Sequence, residues 1–367
     1  MEREESHSHL SGFLTRQQCT LMRGVAIICI ILHNYIHNLD LSLEENEFRF
    51  YALKSRLFTD MLAQFGPRDW MQIISYLGHY GVPVFIFLSG FGLVKKYESP
   101  RAPQPSAARF IRFNYLKLLQ LMLPVAIITL CLHPLLTPDQ RITPAIVAGQ
   151  LTMLGNLVPN LSPLIGPYWF FGAIFELYIV YWLLLRKRGN AVLIVFMVIC
   201  LVPAFFITSH KYGMQYYHIN FPAQMLPFGL GILMARTRVS RFFAELSLLK
   251  SAVCFLLTFL IFVELELWRW TWPIAPVALL LSSLFGLKLL WAAKGVREAL
   301  VWVGGISAYI FAIHSVVRDV FYLFGEEQSQ LMVLLYFTAV ILAGWGMSLT
   351  MRKVPSPKLM PATAAGS

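Results

Sequence analysis

Apolar residues run through this chain in long blocks, and the charged residues fall between the blocks instead of alternating with them. A membrane-crossing helix needs about 20 mostly apolar residues to traverse about 30 Å of hydrocarbon. Ten blocks meet that requirement: 22–38, 71–94, 110–133, 167–185, 190–208, 219–235, 249–267, 271–291, 299–317 and 331–350. The pattern predicts an all-α polytopic membrane protein with about ten transmembrane helices. An eleventh apolar stretch, 142–158, is expected to be an outer interfacial or re-entrant segment. As a full span it would reverse the side of every later loop. The chain then divides into a segment over 1–21, one transmembrane domain over 22–351 and a tail over 352–367. Within the domain lie an outer loop (39–70), able to hold an amphipathic helix, and an outer or re-entrant segment (134–166). The polar head lacks a signal-peptide cleavage pattern, so the first span is expected to stay in the mature protein. The tail, with Pro355, Pro357 and Pro361, reads as disordered.

Composition agrees with the pattern. Apolar residues make up 57% and charged residues 13% of 367, against about 25% charged in an ordinary globular chain. A soluble protein of this size could not hide that much apolar surface. The net charge of +11 is spread over short clusters between spans, not gathered on one continuous face, which argues against nucleic-acid binding. Of the 30 Lys and Arg, 21 fall on the side of the two termini and 8 on the other, with Lys117 inside a span. Positive charge accumulates inside, so both termini are expected in the cytoplasm. The five cysteines show no CxxC, metal-ligand spacing or disulfide framework, and no metal is implied.

An ionisable group within a span costs about 2.5 kcal/mol or more, so each one asks for a reason. The first span carries Arg23, His33 and His37. Ten residues of helix, or about 15 Å of rise, place Arg23 at the cytoplasmic interface and His33 beyond the midplane. His33 and His37, four apart, share a face. Glu176 lies within the fourth block, with Lys117 as a conceivable partner, and His314 sits in the outer half of the ninth. Each also has a structural reading: an interface anchor for Arg23, and hydrogen-bonded packing groups for the histidines and Glu176. The basic run Lys95, Lys96, Arg101, Arg109, Arg112 could hold phosphates or simply mark the inner side. Tyr168, Trp169, Tyr216, Tyr217, Trp268 and Trp270 could stack a sugar or form an ordinary interfacial belt.

Four passages, taken in order, resemble the acyltransferase family 3 of integral membrane proteins, which O-acylate mainly bacterial glycans. Arg23-Gly-Val-Ala-Ile-Ile-Cys-Ile-Ile-Leu-His33 is similar to the family's first-span arginine–histidine signature. Gly81 to Gly92 resembles its Phe-Phe-x-Leu-Ser-Gly-Phe passage, and Arg109-Phe-Ile-Arg112 through Pro124 its basic run into a proline-bearing span. Ser307 to His314 resembles the late Ser-Tyr-x-x-Tyr-Leu-x-His passage, with Trp169 to Tyr178 a weaker fifth match. The first passage departs in one respect: nine residues, not ten, separate arginine from histidine. At 100° per residue the usual spacing leaves the two nearly on one face, whereas here His33 is turned by about 80° from Arg23, so Asn34 or His37 could face the cavity instead.

The resemblance implies an O-acyltransferase in the cytoplasmic membrane of a bacterium. Its donor would be cytoplasmic acetyl-CoA or another acyl-CoA, and its acceptor a cell-envelope glycan or lipid-linked saccharide. Arg23, Arg109 and Arg112 would then hold CoA phosphates, and His33 would act as base or acyl carrier, with Glu176 or His314 assisting. His37, Tyr168 and Trp169 would meet the acceptor among membrane lipids. The competing class is a multi-pass transporter using the same groups as proton or solute sites, which would move solute without any acyl donor. A scaffold would tolerate loss of His33 or Arg23.

Overall fold

The computed structural model describes residues 13–40, 42–67, 69–99, 102–136, 141–159, 161, 163–207, 211–325 and 329–359. Arg3, Arg68, Arg101 and Pro361 lie outside them. Helices α1 (Arg16–Ile36), α2 (Ala52–Ala63), α3 (Asp69–Leu77), α4 (Gly81–Tyr97) and α5 (Ala107–Leu136) build the first half, followed by α6 (Pro144–Thr152). After them come α7 (Trp169–Val180), α8 (Asn190–Leu201), α9 (Pro203–Phe206), α10 (Lys211–His218) and α11 (Phe221–Arg236). The chain closes with α12 (Val239–Glu245), α13 (Leu248–Glu266), α14 (Ala275–Ala292), α15 (Lys294–Tyr322) and α16 (Gln330–Met351). No strand occurs among the described residues.

Eight helical stretches among the described residues are long and apolar enough to cross a membrane: Arg16–Ile36, Asp69–Tyr97, Ala107–Leu136, Gly166–Leu185, Leu248–Glu266, Trp272–Ala292, Lys294–Tyr322 and Gln330–Met351. The other two expected spans are helical but shorter. The block 190–208 folds as Asn190–Phe206, and 219–235 as the 16-residue α11. Sixteen residues rise only about 24 Å. Pro222 starts α11 and Pro227 lies inside it, while Pro203 opens the short α9. The segment 142–158 forms the nine-residue α6 and a single 3₁₀ turn, too short to cross. A helix, α2, does occur in the loop 39–70, with Phe58 stacked on Tyr76 of α3.

Helix α1 is the centre of the bundle. Thr15 accepts from the Gln18 amide while the Gln18 side chain returns to the Thr15 amide, a capping box that fixes its start. Glycines allow the closest crossings. A Cβ on Gly304 would overlap the Thr20 carbonyl, and one on Gly24 the Leu300 carbonyl, so α1 and α15 touch backbone to backbone. Gly90 and Gly231 do the same for α4 and α11 against the carbonyls of Phe228 and Phe87. At the end near the basic loops, the Arg236 guanidinium forks onto both oxygens of Glu98 (2.7 and 2.8 Å) and donates to the Leu185 and Arg188 carbonyls. Tyr181 also donates to Glu98 at 3.0 Å. This half-buried knot ties α4 to α11 and to the π-turn that ends α7.

Candidate active site

The C-terminal end of α1 presents two imidazoles whose proton positions follow from their partners. His33 is 2% exposed, and its Nδ1 lies 2.8 Å from the Ser75 carbonyl oxygen. His37, just past the helix end, places Nδ1 2.8 Å from the His33 carbonyl oxygen. A carbonyl only accepts, so both Nδ1 atoms donate and each Nε2 keeps its lone pair. The two rings stack with centroids 4.6 Å apart, and the His79 ring approaches His33 at 5.4 Å. The neighbours of His33 thus include two imidazole rings and a main-chain carbonyl.

Beside this pair, at the end of the bundle opposite the basic loops, lies a cavity of about 1040 Å³. Asn34, His37 and Asn38 form one wall, with Glu45, Glu47 and Phe48 from the loop after α1. Gln150, Asn156, Tyr168, Trp169 and Tyr216 face them, and Arg318 and Tyr322 close a third side. All three residues expected to meet an acceptor, His37, Tyr168 and Trp169, therefore share one chamber. Tyr168 is pinned by donating to the Ala312 carbonyl (2.9 Å), and Trp169 meets Phe48 edge to face at 5.9 Å. Loss of water around Glu47, and then the charge of Glu45, hold its carboxyl well above the usual carboxylate range. Arg318 is neutralised by Asp319 at 2.8 Å.

The other aromatic residues of the expected belt divide. Tyr216 lines the cavity, whereas Tyr217 is buried and donates to the Cys200 carbonyl. Trp268 and Trp270 are exposed away from the chamber.

Glu176 and His314 are not cavity residues. Glu176 sits on α7 and accepts the Phe221 amide at 2.8 Å, capping the first turn of α11, where free N–H groups need an acceptor. Lys117 is not its partner: it is exposed and close enough to Lys96 and Arg23 to feel their charge. His314 is fully buried on α15 and donates Nδ1–H to the Phe311 carbonyl (2.6 Å). No hydrogen bond or ring contact joins it to His33 among the described residues.

Toward the basic end, Arg23 is half-buried, and no carboxylate stands within 4 Å of it among the described residues. Its charge reaches Cys19, Lys117 and Tyr178. Arg109 and Arg112 are exposed in the first turns of α5. The cavity wall on α1 stops at Ile30, two turns short of Arg23.

Three participants went unseen in the sequence. His79 lies inside the block 71–94, so the rule that singles out His33 also selects it. Glu45 and Arg318 sit in charged, loop-flanking context and carry no local signal. Only the fold turns them toward the chamber.

A family model described as an acyltransferase domain matches residues 18–350, nearly the whole chain. No curated protein and no solved structure matches it.

Proposed function

We propose that this chain, which belongs to the acyltransferase 3 family and is an integral membrane acyltransferase, moves an acetyl group from cytoplasmic acetyl-CoA to a hydroxyl of an envelope glycan or lipid-linked saccharide in the bacterial cytoplasmic membrane. The observation that carries the reading is one helix with two unlike ends. Arg23 is a half-buried cation with no carboxylate within 4 Å among the described residues. About 15 Å along α1 stands His33, with His37 one turn beyond it, each ring donating Nδ1–H to a backbone carbonyl and so keeping its Nε2 lone pair.

A half-buried guanidinium in that position favours an anion, and a phosphate suits its forked donors. Lys96 and Lys117 add to the field there, and Arg109 and Arg112 extend it outward along α5. The pantetheine arm then runs toward His33, past the floor of the cavity at Ile30 and Val82. On the opposite side the saccharide enters among Trp169, Tyr168 and Tyr216. His37, on the cavity wall, orients its hydroxyl. His33 Nε2 takes the hydroxyl proton as the oxygen attacks the thioester carbonyl. The tetrahedral intermediate collapses by breaking the C–S bond, the CoA thiolate leaves, and the proton passes from His33 to sulfur. Glu176 supports this geometry by capping α11. Removal of water from the buried His33 protects the thioester from hydrolysis.

The test is mass spectrometry of envelope glycans from cells with and without the chain, followed by transfer assays with purified protein and labelled acetyl-CoA. A single acetyl increment on one sugar, lost in the His33→Gln variant, is expected. Unchanged glycans and no acyl transfer would overturn the reading.

A further inference from the structure

We infer that His33, His37 and Glu45 form a binding site for a divalent transition-metal ion such as Zn²⁺, and that the bound ion switches the acyl-transfer centre off. One nitrogen from each ring and one carboxylate oxygen of Glu45 lie within 4.8 Å of one another. Both Nδ1–H groups are committed to main-chain carbonyls, the outer-shell arrangement that presents Nε2 to a metal. The Glu45 carboxylate has a buried oxygen, Oε2, with no hydrogen-bond partner among the described residues. A partner is what such an atom requires, and a cation between it and two imidazole lone pairs would supply one.

The donor chemistry narrows the ion. Two imidazoles and one carboxylate suit Zn²⁺ or Co²⁺ rather than Mg²⁺ or Ca²⁺, which take oxygen ligands. Three protein ligands leave the fourth tetrahedral position open, and here it would face the chamber that His37 and Glu45 already line. Bonds of about 2.0–2.2 Å require the three groups to draw together. The stacked rings must fan apart so that the ion lies in the plane of each. Glu45 is on the loop after α1, and His37 follows the last helical residue, so these two ligands sit where the chain is least constrained by helix geometry. The sequence gives only two of these three ligands, a His-x3-His pair at the helix end. The carboxylate arrives eight residues later from a loop whose path local pattern does not fix.

The inhibitory consequence rests on the proposed function, because an ion on His33 Nε2 occupies the lone pair that would accept the hydroxyl proton. Metal binding itself does not depend on that reading. The experiment therefore has two arms on the purified full-length chain in detergent. In the first, Co²⁺ is titrated in as an optical probe and displaced with Zn²⁺. We expect one visible d–d band of tetrahedral intensity per chain. Glu45→Gln and His37→Gln should each weaken binding by at least the roughly 10–100-fold that loss of an outer-shell partner costs. Glu44→Gln, whose side chain is 72% exposed, should bind as the parent does and reports adventitious surface binding. Absence of the band, or equal binding by the parent and Glu45→Gln chains of matched elution and melting behaviour, overturns the site. In the second arm, transfer by the parent chain should fall in step with cobalt occupancy and return with a chelator. Full occupancy with unchanged transfer overturns the inhibitory role alone. A parent chain without any transfer counts against the proposed function and leaves the first arm standing as the test of the site.

Discussion

His33 and His37 differ by one helical turn, and in the proposed function that turn separates two tasks. His33 is enclosed between His37, His79 and the Ser75 carbonyl, whereas His37 opens onto the chamber. Replacing His33 with Gln should lower kcat by about 10²–10⁴, the usual worth of a positioned acid–base group. Replacing His37 with Gln should act mainly on KM for the acceptor. Arg23→Ala should raise KM for acyl-CoA with a smaller effect on the acceptor, and steady-state kinetics with each substrate varied separately will distinguish the three. His218 offers a test of stability instead. Its imidazole is partly enclosed, Nε2 has no hydrogen-bond partner among the described residues, and burial pushes its pKa from 6.5 down to about 4. The unfolded chain therefore binds the proton more readily between those values, so folding stability is complete above about pH 6.5 and is lost as pH falls toward 4. The melting temperature in detergent should drop through that window, and His218→Gln should flatten part of the fall.

At the level of elements, the bundle depends on helices that meet without side chains between them. Gly304 presses on the Thr20 carbonyl, and its neighbour Gly305 faces open space. Gly304→Ala should cost about 1–3 kcal/mol, as overpacking does, whereas Gly305→Ala should be nearly neutral or slightly stabilising through helix propensity. Thermal melts of the two variants decide it, and equal effects would contradict the close α1–α15 crossing. The Glu98–Arg236 fork is a second such joint. Removing Glu98 leaves a half-buried guanidinium without its partner, so Glu98→Gln should destabilise more than loss of an exposed ion pair, whose worth is about 0–1 kcal/mol.

Across the whole molecule, the basic loops lie at one end of the bundle and the chamber at the other. If the basic residues face the cytoplasm, the proposed function requires donor and acceptor to approach from opposite sides of the membrane. Single cysteines in a chain freed of its own five should report this. Cysteine at Glu44 should react with a membrane-impermeant maleimide added outside intact cells, and cysteine at Arg238 only after permeabilisation. The reverse pattern would place the chamber in the cytoplasm and exclude the proposed acceptor route.

What the sequence determined by itself follows from local physics. A block of about 20 apolar residues must be a helix where lipid offers no hydrogen bonds, so the all-α membrane architecture and most helix positions are legible as strings of residue types. The cost of a buried ionisable group is equally local, which is why Arg23, His33, Glu176 and His314 stand out. Their relationships are not local. Whether Glu176 meets Lys117 or the Phe221 amide depends on how α7 packs against α11 and α5. Which histidine reaches the chamber depends on helix rotation, and α1 is held in rotation by the carbonyl contacts at Gly24 and Gly304. The approach of Glu45, Arg318 and Trp169 to one space depends on loops and helix ends far apart in the chain. Only the tertiary structure decides such meetings, because hydrocarbon burial selects helices without selecting their neighbours, and close steric fit between particular backbones does the rest.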